Sequence, residues 1–376
     1  MSFLQSIGDF TIGLIIPFLF VLTLIVFVHE MGHFLVARWN GVTVKVFSVG
    51  FGPELLGYTD RRGTRWKLSV IPLGGYVRFL GDENVASAEG REAVGQLSDL
   101  ERETAFVTQS VGRRAAIVAA GPIANFILAI LIFAFLYSVV GRDVMPPIVS
   151  DVVIGSPAEG AGFEAGDLIV AANDSPIETI ADLQRVVSTR AGQELVVRVN
   201  RTGTLLDIPV TPAMIETEDG FGGVYRRGQI GIESHYDPDA ITRSYTPFPQ
   251  SVWEGAGETW FVVSQTVRYL GRVVSAQEAP DQLGGPITVA RVAERAASVG
   301  FVSLLALAAY LSVSVGFVNL LPIPLLDGGH LAFYAAERLR GRPLGDRAQE
   351  IGYRVGFALV LSLIVLVSVL DISRLA

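Results

Sequence analysis

The sequence contains no cysteine. That absence removes disulfide frameworks, thiolate metal sites and thiol nucleophiles together, so any metal held by the chain must be bound through His, Asp or Glu. Charge is sparse as well. Asp, Glu, Lys and Arg make up 18% of the 376 residues against 50% hydrophobic residues, and the mean hydropathy is +0.47. An ordinary soluble chain of this length is less apolar, which makes a membrane protein the first expectation. Positive charge is in the minority, with a formal net charge of -8. Phosphate recognition needs Lys and Arg clustered on one face, so no nucleic acid is expected as a partner.

What the chain has instead is long apolar runs. Crossing the hydrocarbon core takes about 20 mainly apolar residues in a helix, and four stretches meet that requirement, at roughly 11–37, 115–140, 301–323 and 352–371. The first reads as a retained span and not a signal peptide: no basic region precedes it, the run is too long, and no small-residue cleavage site follows. Basic residues gather between the first two spans (Arg38, Lys45, Arg61, Arg62, Arg65, Lys67, Arg78, Arg113, Arg114) and between the last two (Arg338, Arg340, Arg342, Arg347, Arg354). The positive-inside rule assigns both segments to the cytoplasmic side, and residues 141–300 with both termini to the other.

Between the spans the texture changes. Residues 42–53 and 65–78 alternate β-formers and then break at glycines, a strand-and-turn pattern that predicts β-hairpins lying against or dipping into the membrane. Residues 82–104 are acidic and polar and read as a loop. From 146 to 213 the pattern is that of a small α/β domain, with a helix expected at 179–190 and strands at 194–200 and 204–211. Ser156-Pro157-Ala158, Ala161-Gly162 and Gly166-Asp167-Leu168-Ile169 together resemble the PDZ family, whose domains bind extended peptide by strand addition; a β-rich spacer without ligand is the alternative. Residues 214–245, including an exposed His235, read as a linker. Trp260, Val263, Val267, Leu270 and Val274 then mark an amphipathic helix, lying on the membrane surface or packed on the soluble domain.

The chemistry concentrates at the end of the first span, in His29-Glu30-Met31-Gly32-His33. Positions i and i+4 share a helix face, so both imidazoles of this HExxH pattern reach one tetrahedral zinc while Glu30 addresses an activated water. Each ionisable group at membrane depth costs roughly 2.5–3.5 kcal/mol on insertion scales, and three within five residues call for a partner such as a metal. A third ligand is expected from Asn319-Leu320-Leu321-Pro322-Ile323-Pro324-Leu325-Leu326-Asp327-Gly328-Gly329-His330. Two prolines and two glycines break the third span there, and such irregular backbone belongs beside a cavity or inside protein. Asp327 completes a His2Asp set with one open position; that set also suits iron or manganese, and the helical HExxH favours zinc.

The chain resembles the site-2 protease family of intramembrane metalloproteases, in particular the bacterial regulator of sigma-E protease type. The resemblance rests on the HExxH run, Gly121-Pro122-Ile123-Ala124-Asn125, Pro72-Leu73-Gly74-Gly75-Tyr76, the PDZ-like segment and the Asn319 to His330 run. It implies zinc bound by His29, His33 and Asp327, and Glu30 as general base. It also implies substrate contacts from Asn319 and from Gly74, Gly75 and Tyr76, and an unwound transmembrane helix as substrate. It departs in having room for one PDZ domain where well-known relatives carry two. His330 is expected to hydrogen-bond outside the ligands. Asn125 either orients the site or packs against another helix.

The expected architecture is a polytopic α-helical membrane protein with four transmembrane helices, a membrane-associated β-hairpin region and one inserted PDZ-like α/β domain. Its segments are 1–40 (first helix), 41–112 (cytoplasmic-side hairpin loop), 113–141 (second helix), 142–215 (PDZ-like), 216–300 (linker and amphipathic helix), 301–335 (third segment), 336–351 (cytoplasmic loop) and 352–376 (fourth helix). The implied function is intramembrane endopeptidase activity on single-span proteins, such as anti-sigma factors or remnant signal peptides, in a bacterial inner membrane. The PDZ-like module would lie in the periplasm and take a peptide ligand. Two other classes fit parts of the pattern. A non-catalytic PDZ scaffold would be expected to have lost a ligand or the base, and a metal or proton transporter would be expected to show internal repeats.

Overall fold

Each long apolar run becomes a helix, because in hydrocarbon every backbone N–H and C=O has to be satisfied within the segment. In the computed structural model, which describes residues 2–81, 97–173, 175–218, 224–234, 242–275, 280 and 284–374, four helices are long and apolar enough to cross a membrane. Their apolar stretches are Gly13–Trp39, Val111–Val140, Phe301–Leu320 and Arg347–Ser373. Of the stretch 82–104 expected as a loop, residues 82–96 lie outside the described residues, as does His235, while Asp99–Thr104 form a short helix because Ser98 and Glu101 cap its start. The chain divides into two compact units.

Among the described residues the first unit is helical apart from one small sheet. Helix α1 (Ser2–Trp39) carries the HExxH run near its end. Strands β1 (Val44–Thr59) and β2 (Arg65–Phe79) follow, then the short α2 (Asp99–Thr104), whose start is closed by a Ser98–Glu101 capping box, and α3 (Val111–Phe135). The two strands do not make a plain hairpin. Residues 44–49 pair with both 65–68 and 75–79, while 65–69 also pair with 54–59, so each strand bends on itself. The resulting sheet has four rungs in the order 54–59, 65–69, 44–49, 75–79. Gly50 and Gly52 sit at the corner with φ of +89° and +87°, a region that side chains with a Cβ rarely enter.

The sheet is seated on the end of α1 by Phe34, Phe47 and Trp66, whose ring centroids lie 4.6–5.5 Å apart. A polar clasp closes the seat. Arg38 of α1 pairs with Asp60 in the turn of the sheet, and Asp60 also accepts from Trp66 Nε1 at 3.1 Å and from the Arg62 and Thr64 backbone amides at 2.9 and 3.0 Å. Burial opposes ionisation of Asp60, but these donors hold its carboxyl well below the usual carboxylate range. A lowered folded value stabilises above the unfolded value of about 4 and loses that contribution as pH falls through the folded one. Asp60→Asn is therefore expected to speed hydrogen exchange in residues 44–79 near neutral pH, with the difference from wild type shrinking below about pH 4. An equal difference at pH 3 and pH 7 would show that the clasp does not act through charge.

The second unit holds the segment read from sequence as PDZ-like. After a π-helical turn (Leu136–Val140) come β3 (Arg142–Val144), β4 (Asp151–Val152), α4 (Pro157–Ala161), β5 (Leu168–Ala172), β6 (Ser175–Pro176), α5 (Ile180–Ser188), β7 (Leu195–Arg201) and β8 (Thr204–Val210). A four-stranded antiparallel sheet in the order β6-β5-β7-β8 encloses, with α5, a core of Val149, Phe163, Ile169, Leu183, Leu195 and Val197. Asp167, fully buried, is held by Arg201 through two bonds of 2.7 and 2.8 Å. The expected linker at 214–245 contains further strands: β9 (Ala213–Glu218) pairs with β10 (Val224–Gln229), β11 (Ile232–Glu233) with β4, and β12 (Thr242–Ser244) with β3. Its polar composition hid them, since a ladder of backbone hydrogen bonds needs no apolar side chains to form at a surface.

The chain then re-enters the first unit. Helix α6 (Phe248–Val274) rests on α3 and on α8 (Phe301–Leu320). Gly255 permits the contact, for a Cβ there would come 2.8 Å from the Ile130 carbonyl of α3. The buried Glu258 accepts from Tyr310 of α8 at 3.1 Å. Helix α7 (Pro286–Val299) packs beside α1 and α8. Its first turn is capped from a distance by Asp371 near the end of α10 (Asp346–Ser373), which accepts from the Gly285 and Ile287 amides, each at 2.9 Å. Between α8 and α10 lies α9 (Asp327–Arg340).

Candidate metal centre and active site

The site begins with how closely three helices approach. On α1, a Cβ at Gly32 would collide with the Ala120 carbonyl of α3; on α3, a Cβ at Gly121 would collide with His33 Nε2 and stand 2.8 Å from His29 Nε2. Small residues let apolar helices pack backbone to backbone where there is no hydrophobic gain to drive them together. The two imidazoles therefore lie in the seam between α1 and α3, each 9% exposed.

Asp327 is brought to the same point by the broken segment after α8. The chain turns at Leu321 to Leu326, with Leu325 at φ +92°, an unfavourable conformation for a branched side chain and one that concentrates at functional sites. It then folds tightly over the first turn of α9. A Cβ at Gly328 would collide with the Leu320 and Leu321 carbonyls, and one at Gly329 with the Ile323 carbonyl. On the far side, a Cβ at Gly356 of α10 would collide with the Pro324 carbonyl. At the other end of α9, Glu337 receives Arg114 of α3 at 2.7 Å, and the same guanidinium lies 4.8 Å from the Tyr334 ring centroid. Asp327 is thus held by packing at one end of its helix and by an ion pair at the other.

His29 Nε2 and His33 Nε2 are 3.2 Å apart, and Asp327 Oδ2 lies 3.1 Å from the first and 3.6 Å from the second. Donors about 2.0–2.2 Å from a tetrahedral zinc stand about 3.3–3.6 Å from one another, so the triangle has the size such an ion requires. Two further observations fit. His33 Nδ1 donates to the Ile117 carbonyl at 2.9 Å, which leaves Nε2 with its lone pair toward the triangle. Among the described residues, the two imidazole nitrogens apart, no hydrogen bond reaches the buried Asp327 Oδ2, a costly state for a carboxylate unless a cation meets it.

Beside the triangle is a cavity of about 1250 Å³. Glu30, Asn319, Gly74, Gly75, Tyr76 and His330 all line it. The 75–79 rung passes so near α1 that a Cβ at Gly75 would come 3.2 Å from Glu30 Cγ. His330 lies tilted against Tyr334 and Tyr353, at centroid distances of 6.5 and 6.0 Å, and among the described residues no hydrogen bond joins it to Asp327. Asn125, fully buried on α3, has its amide 3.2 Å from His29 Nδ1. The Ile117 carbonyl has no residue signature in the sequence, and the Arg114–Glu337 pair joins residues 223 positions apart with no pattern linking them.

The family model for peptidase family M50 matches residues 17–363. The chain belongs to this family of site-2 proteases. It is 46% identical to the protein named "Putative zinc metalloprotease Atu1380" of Agrobacterium fabrum over 376 residues, which is 100% of each chain. With "Metalloprotease MmpA" of Caulobacter vibrioides it shares 36% identity over 387 aligned residues, 96% of each. Membership makes the chain a zinc metalloendopeptidase, and the four long apolar helices make it a multi-pass membrane protein.

Proposed function

We propose that this M50 peptidase cuts peptide bonds within or beside the transmembrane segments of single-span membrane proteins, with His29, His33 and Asp327 as the zinc ligands and Glu30 as the proton carrier. The observation that carries the reading is the ligand triangle itself: two imidazoles and a carboxylate at zinc-sized separations, the imidazoles on a helix apolar enough to span, beside a cavity that also borders a strand edge.

Zinc, when bound, polarises the scissile carbonyl and lowers the pKa of water to near 7. Glu30 takes the proton of the attacking water and passes it to the leaving nitrogen, a step that needs its carboxylate in the cavity where the water stands. Asn319, which lines the same cavity, offers its amide N–H to the carbonyl oxygen as negative charge develops there. The substrate has to be extended, since a helical peptide hides its carbonyl in intrahelical bonds. Among the described residues the 75–79 rung has a strand partner on one side only, and its outer edge, with Gly74, Gly75 and Tyr76, would hold the unwound segment by strand addition.

The same reading extends to surroundings. Phe51, Leu55, Leu56, Tyr58 and Leu73 of the small sheet are each 44–70% exposed, as suits a sheet dipping into lipid. Basic residues on both connecting segments support a zinc site on the cytoplasmic side, and the membrane is read as a bacterial inner membrane. The α/β domain at 142–215 is then a PDZ-like module on the periplasmic side, taking a peptide from substrates trimmed outside the membrane, such as anti-sigma factors or remnant signal peptides.

Incubating the purified chain with single-span substrates in detergent and mapping products by mass spectrometry tests the proposal. New termini are expected inside the apolar segment or within a few residues of it. Cuts confined to the soluble flanks would overturn the intramembrane reading and leave a membrane-bound peptidase of another specificity.

A further inference from the structure

The two imidazoles differ in what orients them. His33 gives its Nδ1 proton to a backbone carbonyl, which accepts and never donates, so its tautomer is fixed by the fold. The atom facing His29 Nδ1 is instead the side-chain amide of Asn125, at 3.2 Å, and an amide offers both a donor and an acceptor. With its nitrogen turned to the ring, Asn125 Oδ1 is left buried without a hydrogen-bond partner among the described residues. That orientation would also put the imidazole proton on Nε2, the atom aimed at the triangle, where a lone pair is needed. With the oxygen turned to the ring, Asn125 accepts the Nδ1 proton and both conflicts disappear.

We infer that Asn125 is a positioning residue for the zinc site: through Oδ1 it fixes the tautomer and ring orientation of His29. The surroundings hold it for that purpose. Its backbone carbonyl accepts from Ser312 Oγ of α8 at 2.9 Å, and Gly316 of α8 leaves room for its turn, since a Cβ there would come 3.2 Å from Asn125 Cβ. Nothing in this arrangement lets Asn125 reach substrate, for it is fully buried and is not among the residues that line the cavity.

The inference rests on the proposed ligand set, and the test separates the two. Zinc affinity of the full chain in detergent is measured by chelator competition for wild type, Asn125→Leu, Asn125→Asp and His33→Ala, with thermal stability of each metal-free protein alongside. Losing an outer hydrogen bond to a ligating His weakens metal binding about 10–100-fold. Asn125→Leu is expected to show that loss, with cleavage recovering as zinc is raised. Asn125→Asp, which keeps an acceptor at the same reach, is expected to stay within about threefold of wild type. If Asn125→Leu binds zinc like wild type, or if Asn125→Asp is as impaired as Asn125→Leu, the inference is overturned; if Asn125→Leu does not fold, the Asn125→Asp affinity alone decides it. Unchanged zinc affinity in His33→Ala would instead overturn the ligand set beneath it.

Discussion

Purified Glu30→Gln is expected to hold zinc at the same stoichiometry as wild type while cleaving a transmembrane substrate about 10²–10⁴-fold more slowly, the usual contribution of a positioned general base. Glutamine keeps the size and the hydrogen-bonding reach of the side chain, and Glu30 is not one of the three groups that form the metal-sized triangle. The loss should fall on kcat with KM little changed, because the proton is moved only as the transition state forms. Metal analysis and steady-state kinetics on one preparation read both quantities. Zinc loss in the variant would assign Glu30 to the ligand set, and a rate within tenfold of wild type would assign the proton to another group.

Gly121→Ala is expected to disable the site by adding one methyl group. The new Cβ would occupy the space of His33 Nε2 and lie 2.8 Å from His29 Nε2, so either a ring leaves the triangle or α3 moves away from α1. Overpacking of this kind costs about 1–3 kcal/mol, which appears as a roughly 5- to 150-fold loss of zinc affinity if the helices hold and the rings yield. Separation of the helices would instead lower thermal stability, with Gly32 and Ala120 losing their close approach. Chelator competition and thermal unfolding distinguish the two. A variant with wild-type zinc affinity, stability and activity would show that the α1–α3 seam is looser than this geometry.

Much of this site was legible beforehand. The four-residue spacing of His29 and His33 fixes a shared helix face whatever the rest of the chain does. Asp327 was legible because Pro322, Pro324, Gly328 and Gly329 make no sense as the middle of a span. The bent sheet was half legible: its strands were expected, but the double pairing of residues 44–49 depends on which distant strands fold back beside them. The pairing of β9 with β10 was not legible, because their polar side chains carry no periodic apolar signal. Helix α6 was visible as amphipathic, yet the face it buries contains Ser251, Gly255, Glu258 and Thr259. Close packing of small residues, and not apolarity, decides that contact.

By itself the sequence determined the membrane class, the four spans, the metal chemistry available without cysteine and the His-Glu-His face, since each depends on composition or on residues within one or two turns of each other. Only the tertiary structure decided that Asp327 completes the triangle at 3.1 and 3.6 Å, that the Ile117 carbonyl sets the His33 tautomer, and that Gly121 is the residue making room for both rings. Those contacts join groups far apart in the chain, and two of the three depend on a feature with no signal of its own: a backbone carbonyl that every residue carries, and a side chain that is missing.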